Sequence, residues 1–179
     1  MRTAELNRQG HDVDKFVGKS LKATIKLLEK QIESINEEIK GCISNDPEMN
    51  SKAKIAESMP GIGEVTSSML VTELPELGSL TRRQIASLAG LAPIARDSGT
   101  FKGKRMTGGG RGTVRAKLYM PTLVAIQYNP AIREFYQRLL KAGKTKMTAV
   151  TACMRKMLTI LNVMMANPTF ALRWLNRGF

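Results

Sequence analysis

One serine sits in a run of glycines and cations. The string is Ala95-Arg96-Asp97-Ser98-Gly99-Thr100-Phe101-Lys102-Gly103-Lys104-Arg105, and it continues through Gly108-Gly109-Gly110-Arg111 to Arg115 and Lys117. Glycine lets a main chain approach a polyanionic backbone closely. Lysine and arginine supply the charge that phosphates attract. A serine hydroxyl held among them is a candidate nucleophile toward a phosphodiester, and the cations would stabilise charge building on the attacked phosphate. The plainer alternative is turn chemistry, because Asp-Ser-Gly favours turns, with the cations as simple phosphate contacts.

The remaining chemistry-bearing residues narrow the choice. His11 is the sole histidine and lies in a polar N-terminal segment, so no Ser–His relay is expected. After Glu57 the carboxylates are Glu64, Glu73, Glu76, Asp97 and Glu134. They fall on unrelated elements, so no two-metal centre and no bound metal is expected in this chain. Cys42 and Cys153 lie far apart and form neither a CxxC pair nor a disulfide framework.

Charge is distributed very unevenly. The chain has 179 residues and a net charge of +13. Residues 1–57 carry ten basic and ten acidic side chains, residues 58–92 two and three, and residues 93–179 sixteen and two. The excess therefore belongs wholly to the C-terminal half. A basic surface, acidic proteins or anionic lipid would account for it. Nucleic acid fits better, because the cations sit among glycines and not along an amphipathic membrane face. No secretory signal and no charge-free membrane-length segment is read, so a reducing, cytoplasmic setting without membrane partners is the expectation.

The elements that must position this loop read as all-α. Leu21, Ile25, Leu28, Ile32, Ile35, Ile39 and Cys42 form an unbroken heptad stripe. It predicts a long N-terminal helix that either packs on its own domain or pairs as a coiled coil with a second copy, ending at Asn45-Asp46-Pro47. A short helix near 51–58, Met59-Pro60-Gly61-Ile62-Gly63 and a second apolar helix match a helix-hairpin-helix pattern over 51–74. There Gly61 and Gly63 would permit a tight turn and offer helix N-terminal amides to a phosphate. A plain αα-turn is the alternative, and Glu64 stands where a phosphate would approach. Thr81 is placed to cap a helix over 82–89. Within the basic region 95–117, the stretch from Arg96 to about Gly112 reads as a loop or a small hairpin. A C-terminal helical bundle follows: about 113–127 with Pro121 expected to kink it, Asn129-Pro130 to Leu140, and a methionine-rich helix to about Met165. The tail with Leu172, Trp174 and Leu175 is a candidate docking segment. The domain organisation is then a linker and coiled-coil-like helix over 1–50 and a helical domain over 51–179.

Several of these strings occur in a telling order. They are Met59 to Gly63, Glu73-Leu74-Pro75-Glu76-Leu77-Gly78, Leu88-Ala89-Gly90-Leu91-Ala92-Pro93, Ala95 to Gly99, Gly110-Arg111, Val114-Arg115 and Leu118-Tyr119-Met120. The series resembles the C-terminal transposase domain of the insertion sequence one-ten family, which includes the Piv-type DNA invertases. The resemblance covers about residues 15 to 165. It implies a DNA transposase or site-specific recombinase in which Ser98 attacks a DNA phosphate and forms a transient protein–DNA bond. It also implies DNA and a structured guide (bridge) RNA as partners.

Around Ser98, proximity makes Arg96, Lys102, Lys104 and Arg105 the expected phosphate contacts, with Gly99 and Gly103 letting the loop fit. Arg111, Arg115, Lys117, Gly61 and Gly63 are expected to add nucleic-acid contacts. The family also carries a RuvC-like domain with an Asp-Glu-Asp-Asp set, where magnesium is expected. Nothing in this sequence corresponds to it, and residues 1–55 look like the linker that follows it. The expectation is a fragment of a longer transposase or a truncated gene, incomplete for full recombination on its own, with homo-oligomers through the Leu21–Cys42 helix. Two rivals stand beside it: a non-catalytic helix-hairpin-helix binding module in which Ser98 is a turn residue, and an oligomerisation remnant.

Overall fold

The computed structural model describes residues 1–9, 15–103 and 105–167. His11, Lys104 and the tail beyond Asn167 lie outside the described residues. The chain divides into two compact units, Met1–Asp46 and a larger one from Pro47 onward.

The first unit holds α1 (Arg2–Gln9) and α2 (Lys15–Asn45). The heptad stripe does form one helix, longer at both ends than the stripe itself. α1 packs along α2, where Leu21 and Ile25 are buried and Leu28 is half-buried. The Arg2 guanidinium donates to Glu29 Oε1 at 2.8 and 3.1 Å. Further along, Ile32, Ile35 and Ile39 are 45%, 56% and 39% exposed. The seam is thus continuous in sequence and divided in space: its first half is covered, its second half faces outward.

The second unit holds α3 (Pro47–Glu57), α4 (Glu64–Glu73), α5 (Arg82–Leu88), β1 (Pro93–Ile94), β2 (Met106–Thr107), α6 (Gly112–Tyr128), α7 (Pro130–Lys141) and α8 (Lys146–Ala166). Local chemistry sets most of these ends. Pro47 opens α3, as proline does where an amide would go unbonded. Thr81 and Gln84 make a reciprocal capping box on α5. Asn129 accepts from the Ile132 amide at 3.3 Å, with Pro130 as the first residue of α7. Gly143, at φ 75°, turns the chain after α7, and Thr145 caps α8.

α8 is the axis of this unit and packs against α3, α5, α6 and α7. Cys153, Met157, Leu158, Leu161 and Met164 are fully buried on it. By length and composition α8 is apolar enough to cross a membrane, and its apolar face is spent on this core. Its methionines are unbranched and fill an irregular interior. Burial also pushes the Cys153 thiol up to about 11, which leaves it as packing and not as a reactive thiolate. α6 runs continuously through Pro121, which is itself buried.

Candidate nucleic-acid interface

The basic stretch is a hairpin. β1 pairs antiparallel with β2, Pro93 opposite Thr107 and Ile94 opposite Met106. Nearer the tip, Ser98 faces Phe101. Each of the two donates its amide to the other's carbonyl at 3.0 Å. Gly99 takes φ 56° while, among the described residues, only glycines have positive φ, so Ser98-Gly99-Thr100-Phe101 has the φ signs of a type II′ turn. A Cβ on Gly103 would stand 2.2 Å from the Arg96 carbonyl oxygen. Glycine there lets the two arms close together.

At this tip Ser98, Asp97, Arg96, Lys102 and Arg105 are all exposed. Among the described residues, no carboxylate pairs with Arg96, Lys102 or Arg105. Ser98 and three cations therefore stand together on one short, solvent-facing loop.

The base of the hairpin is built differently. Gly90 is buried at φ 65°, and a Cβ there would lie 2.2 Å from the Gly109 carbonyl oxygen. A Cβ on Gly110, at φ 59°, would lie 2.4 Å from the Leu88 carbonyl oxygen and 2.5 Å from the Gly90 nitrogen. The outgoing and returning chains thus cross backbone to backbone, and the Arg111 amide seals the crossing on Leu88 O at 2.7 Å. The Arg115 guanidinium spans the same crossing, donating to Gly90 O at 3.0 Å and Gly109 O at 3.2 Å.

Two glutamates, Glu73 at the end of α4 and Glu76 in the turn before α5, complete this base. Arg111 makes a bidentate pair with Glu76, both bonds 2.7 Å, and also donates to Glu73 O at 2.7 Å. Thr113 donates to Glu73 Oε2 at 2.7 Å, and Lys117 donates to the other Glu73 oxygen. The Arg111 guanidinium, aided by the Glu76 backbone amide, holds the Glu76 carboxyl down to about 2. The Lys117 and Thr113 bonds lower Glu73 as well. Asn162 on α8 fixes the turn that carries Glu76: it accepts from the Gly78 amide at 3.0 Å and donates to Leu80 O at 2.7 Å.

The sequence-predicted contacts therefore separate into two sets. Arg96, Lys102, Gly103 and Arg105 share the hairpin with Ser98. Arg111, Arg115 and Lys117 are engaged within the protein at its base. Between α3 and α4, Gly61 takes φ 103° and packs inward; a Cβ there would stand 2.8 Å from Pro121 O and 2.9 Å from the Ala125 nitrogen. Gly63 is exposed, has open space around it, and precedes α4 with no side-chain cap. Sequence reasoning missed Glu73, Glu76 and Asn162 as supports of the loop. No local signal marks them, since their partners lie 35 to 84 residues away. Among the described residues no three His, Cys, Asp or Glu side chains gather to hold a metal ion.

Comparison with known proteins adds the context for this geometry. Residues 53–137 match the model of the transposase IS116/IS110/IS902 family. The chain is 35% identical over 133 residues to the pilin gene-inverting protein of Moraxella bovis, covering 72% of this chain and 41% of that protein. It is 32% identical over 158 residues to an uncharacterized 42 kDa protein of insertion element IS900 from Mycobacterium paratuberculosis, covering 83% and 39%. A 43.6 kDa protein of insertion element IS110 from Streptomyces coelicolor is 27% identical over 153 residues, covering 84% and 37%. The chain thus spans about two fifths of the length of these relatives. The matched region runs from within α3 through α4, the glutamate-braced crossing and the serine-bearing hairpin, and over it this chain matches the IS116/IS110/IS902 transposase family.

Proposed function

We propose that this chain is the serine-bearing, strand-exchanging part of a DNA transposase or site-specific recombinase, with Ser98 as nucleophile. Its Oγ attacks a backbone phosphorus, an Oγ–P bond forms, and the bond from that phosphorus to one sugar oxygen breaks. The serine proton is lost and the departing sugar oxygen gains one, so the step balances and no external energy source is consumed. A sugar hydroxyl of a second strand reverses the step and rejoins the DNA. Arg96, Lys102 and Arg105 neutralise the attacked phosphate. DNA, a structured guide RNA, a second copy joined through α2 and a cytoplasmic setting belong to the same proposal. So does a separate RuvC-like domain holding magnesium.

The observation that carries this reading is the state of the tip: an exposed serine beside three cations that no described carboxylate occupies. Cations left unpaired within a protein are available to a polyanion. The test is covalent trapping. The chain is mixed with a separately expressed RuvC-like domain, magnesium, guide RNA and labelled DNA, and a denaturant-resistant adduct is sought. We expect an adduct that disappears in Ser98→Ala while salt-dependent binding persists. An adduct that survives the substitution overturns Ser98 as nucleophile. Binding with no adduct favours a non-catalytic module, for which the N-terminus of α4, preceded by Gly63 and without a side-chain cap, is the specific support.

A further inference from the structure

Phe101 is directly opposite Ser98 in the hairpin, yet its ring takes no part in the core. It is 69% exposed, and the two residues exchange both backbone hydrogen bonds at 3.0 Å. In an antiparallel pair of this kind, the side chains of facing residues emerge on the same side, with Cβ atoms about 5 Å apart. The aromatic ring and the serine hydroxyl therefore leave the tip together. An exposed ring next to cations is not explained by folding: it contributes nothing to the hydrophobic cluster, and leaving it in water is unfavourable.

We infer that Phe101 is a stacking platform for an unpaired nucleobase next to the phosphate that Ser98 engages. The inference rests on the nucleic-acid reading of the hairpin, and it assigns Phe101 a positioning role. The chemistry of the surroundings selects this occupant. Arg96, Lys102 and Arg105 hold a phosphate backbone over the tip, and a nucleotide whose phosphate lies at Ser98 carries its base within reach of a neighbouring ring. Every base has a π-face, so stacking tolerates sequence while favouring strands whose bases are unpaired. A membrane or an apolar peptide suits the site less well, because the ring is set among charges and the hairpin's other exposed apolar pair, Ile94 and Met106, lies back along the strands. Stacking also suits strand exchange, where a base beside the attacked phosphate must be held while its own duplex is open.

The experiment uses the chain as it is, with two single strands of equal length: oligothymidylate, and an all-abasic strand that keeps the phosphates and lacks the bases. Wild-type chain is expected to bind oligothymidylate about tenfold more tightly than the abasic strand at the same salt, the scale of one base on one aromatic ring. Phe101→Leu, which keeps an apolar side chain at an exposed position, is expected to bind both strands equally with an unchanged salt slope. Phe101→Trp is expected to restore the preference. A preference that survives Phe101→Leu overturns the inference, as does equal binding of the two strands by wild type. Either result with salt-dependent binding intact leaves the Ser98 reading standing. Loss of all salt-dependent binding would overturn that reading as well.

Discussion

The tip and the base of the hairpin carry the same residue types and do opposite work. At the tip, a Cβ added to Gly99 would meet only open space, and Arg96, Lys102 and Arg105 face solvent. At the base, Gly90 and Gly110 are pressed against backbone atoms, and Arg111, Arg115 and Lys117 are spent on carbonyls and two glutamates. The lesson is that a basic stretch is not one functional object. Cations matched by carboxylates hold a loop in place, and cations left unmatched are what the loop presents.

The strongest way to break the comparison is at the glycines of the base. Gly90→Ala should cost about 3 kcal/mol or more, since it combines a left-handed backbone with a Cβ driven into the Gly109 carbonyl. Chemical denaturation checks this, and a variant as stable as wild type would show that the crossing is not tight. Next in size is the joint substitution of Arg96, Lys102 and Arg105 by alanine. It should leave the thermal midpoint unchanged and make the slope of log K against log salt shallower by about 2.7, three phosphate contacts on duplex DNA. An unchanged slope would place the polyanion surface elsewhere.

Arg111→Ala should do the reverse, lowering the thermal midpoint with little change in the salt slope. A pH series sharpens the point. Glu76 titrates lower in the folded chain, at about 2, than its ordinary value of 4.5. The pair therefore contributes fully above about 4.5, and its contribution is lost as pH falls from there through about 2. Stability should fall across that window in wild type, and the part due to Glu76 should be missing in Arg111→Ala. The smallest effect is expected from Thr113→Val. That change removes one exposed hydrogen bond to Glu73 and should alter stability by about 0.5 kcal/mol or less, with DNA binding untouched.

The elements were legible because their signals are local. Thr81 with Gln84, Asn129 with Pro130, and Thr145 ahead of its helix each mark an end within three residues. The two-residue strands around the loop were foreseen no more closely than as a loop or small hairpin. The heptad stripe announced α2 but not α1, whose cover hides Leu21 and Ile25 and leaves Ile32 to Ile39 outward. Gly61 shows the same limit: its place in a turn was readable, its packing on α6 was not.

By itself the sequence determined the helices from α2 onward, the glycine-marked turns, the segregation of charge into the C-terminal half and the serine set in the cationic stretch. Each follows from residue type and short-range spacing, the scale on which helix periodicity, capping and turn chemistry act. Only the tertiary structure decided which cations are free. Glu73 and Glu76 lie 35 to 44 residues from the groups they bind, and spacing along a chain carries no information about which charges the fold brings together. Phe101 is the local counterpart: three residues from Ser98, it comes to face it because the chain turns at Gly99 between them.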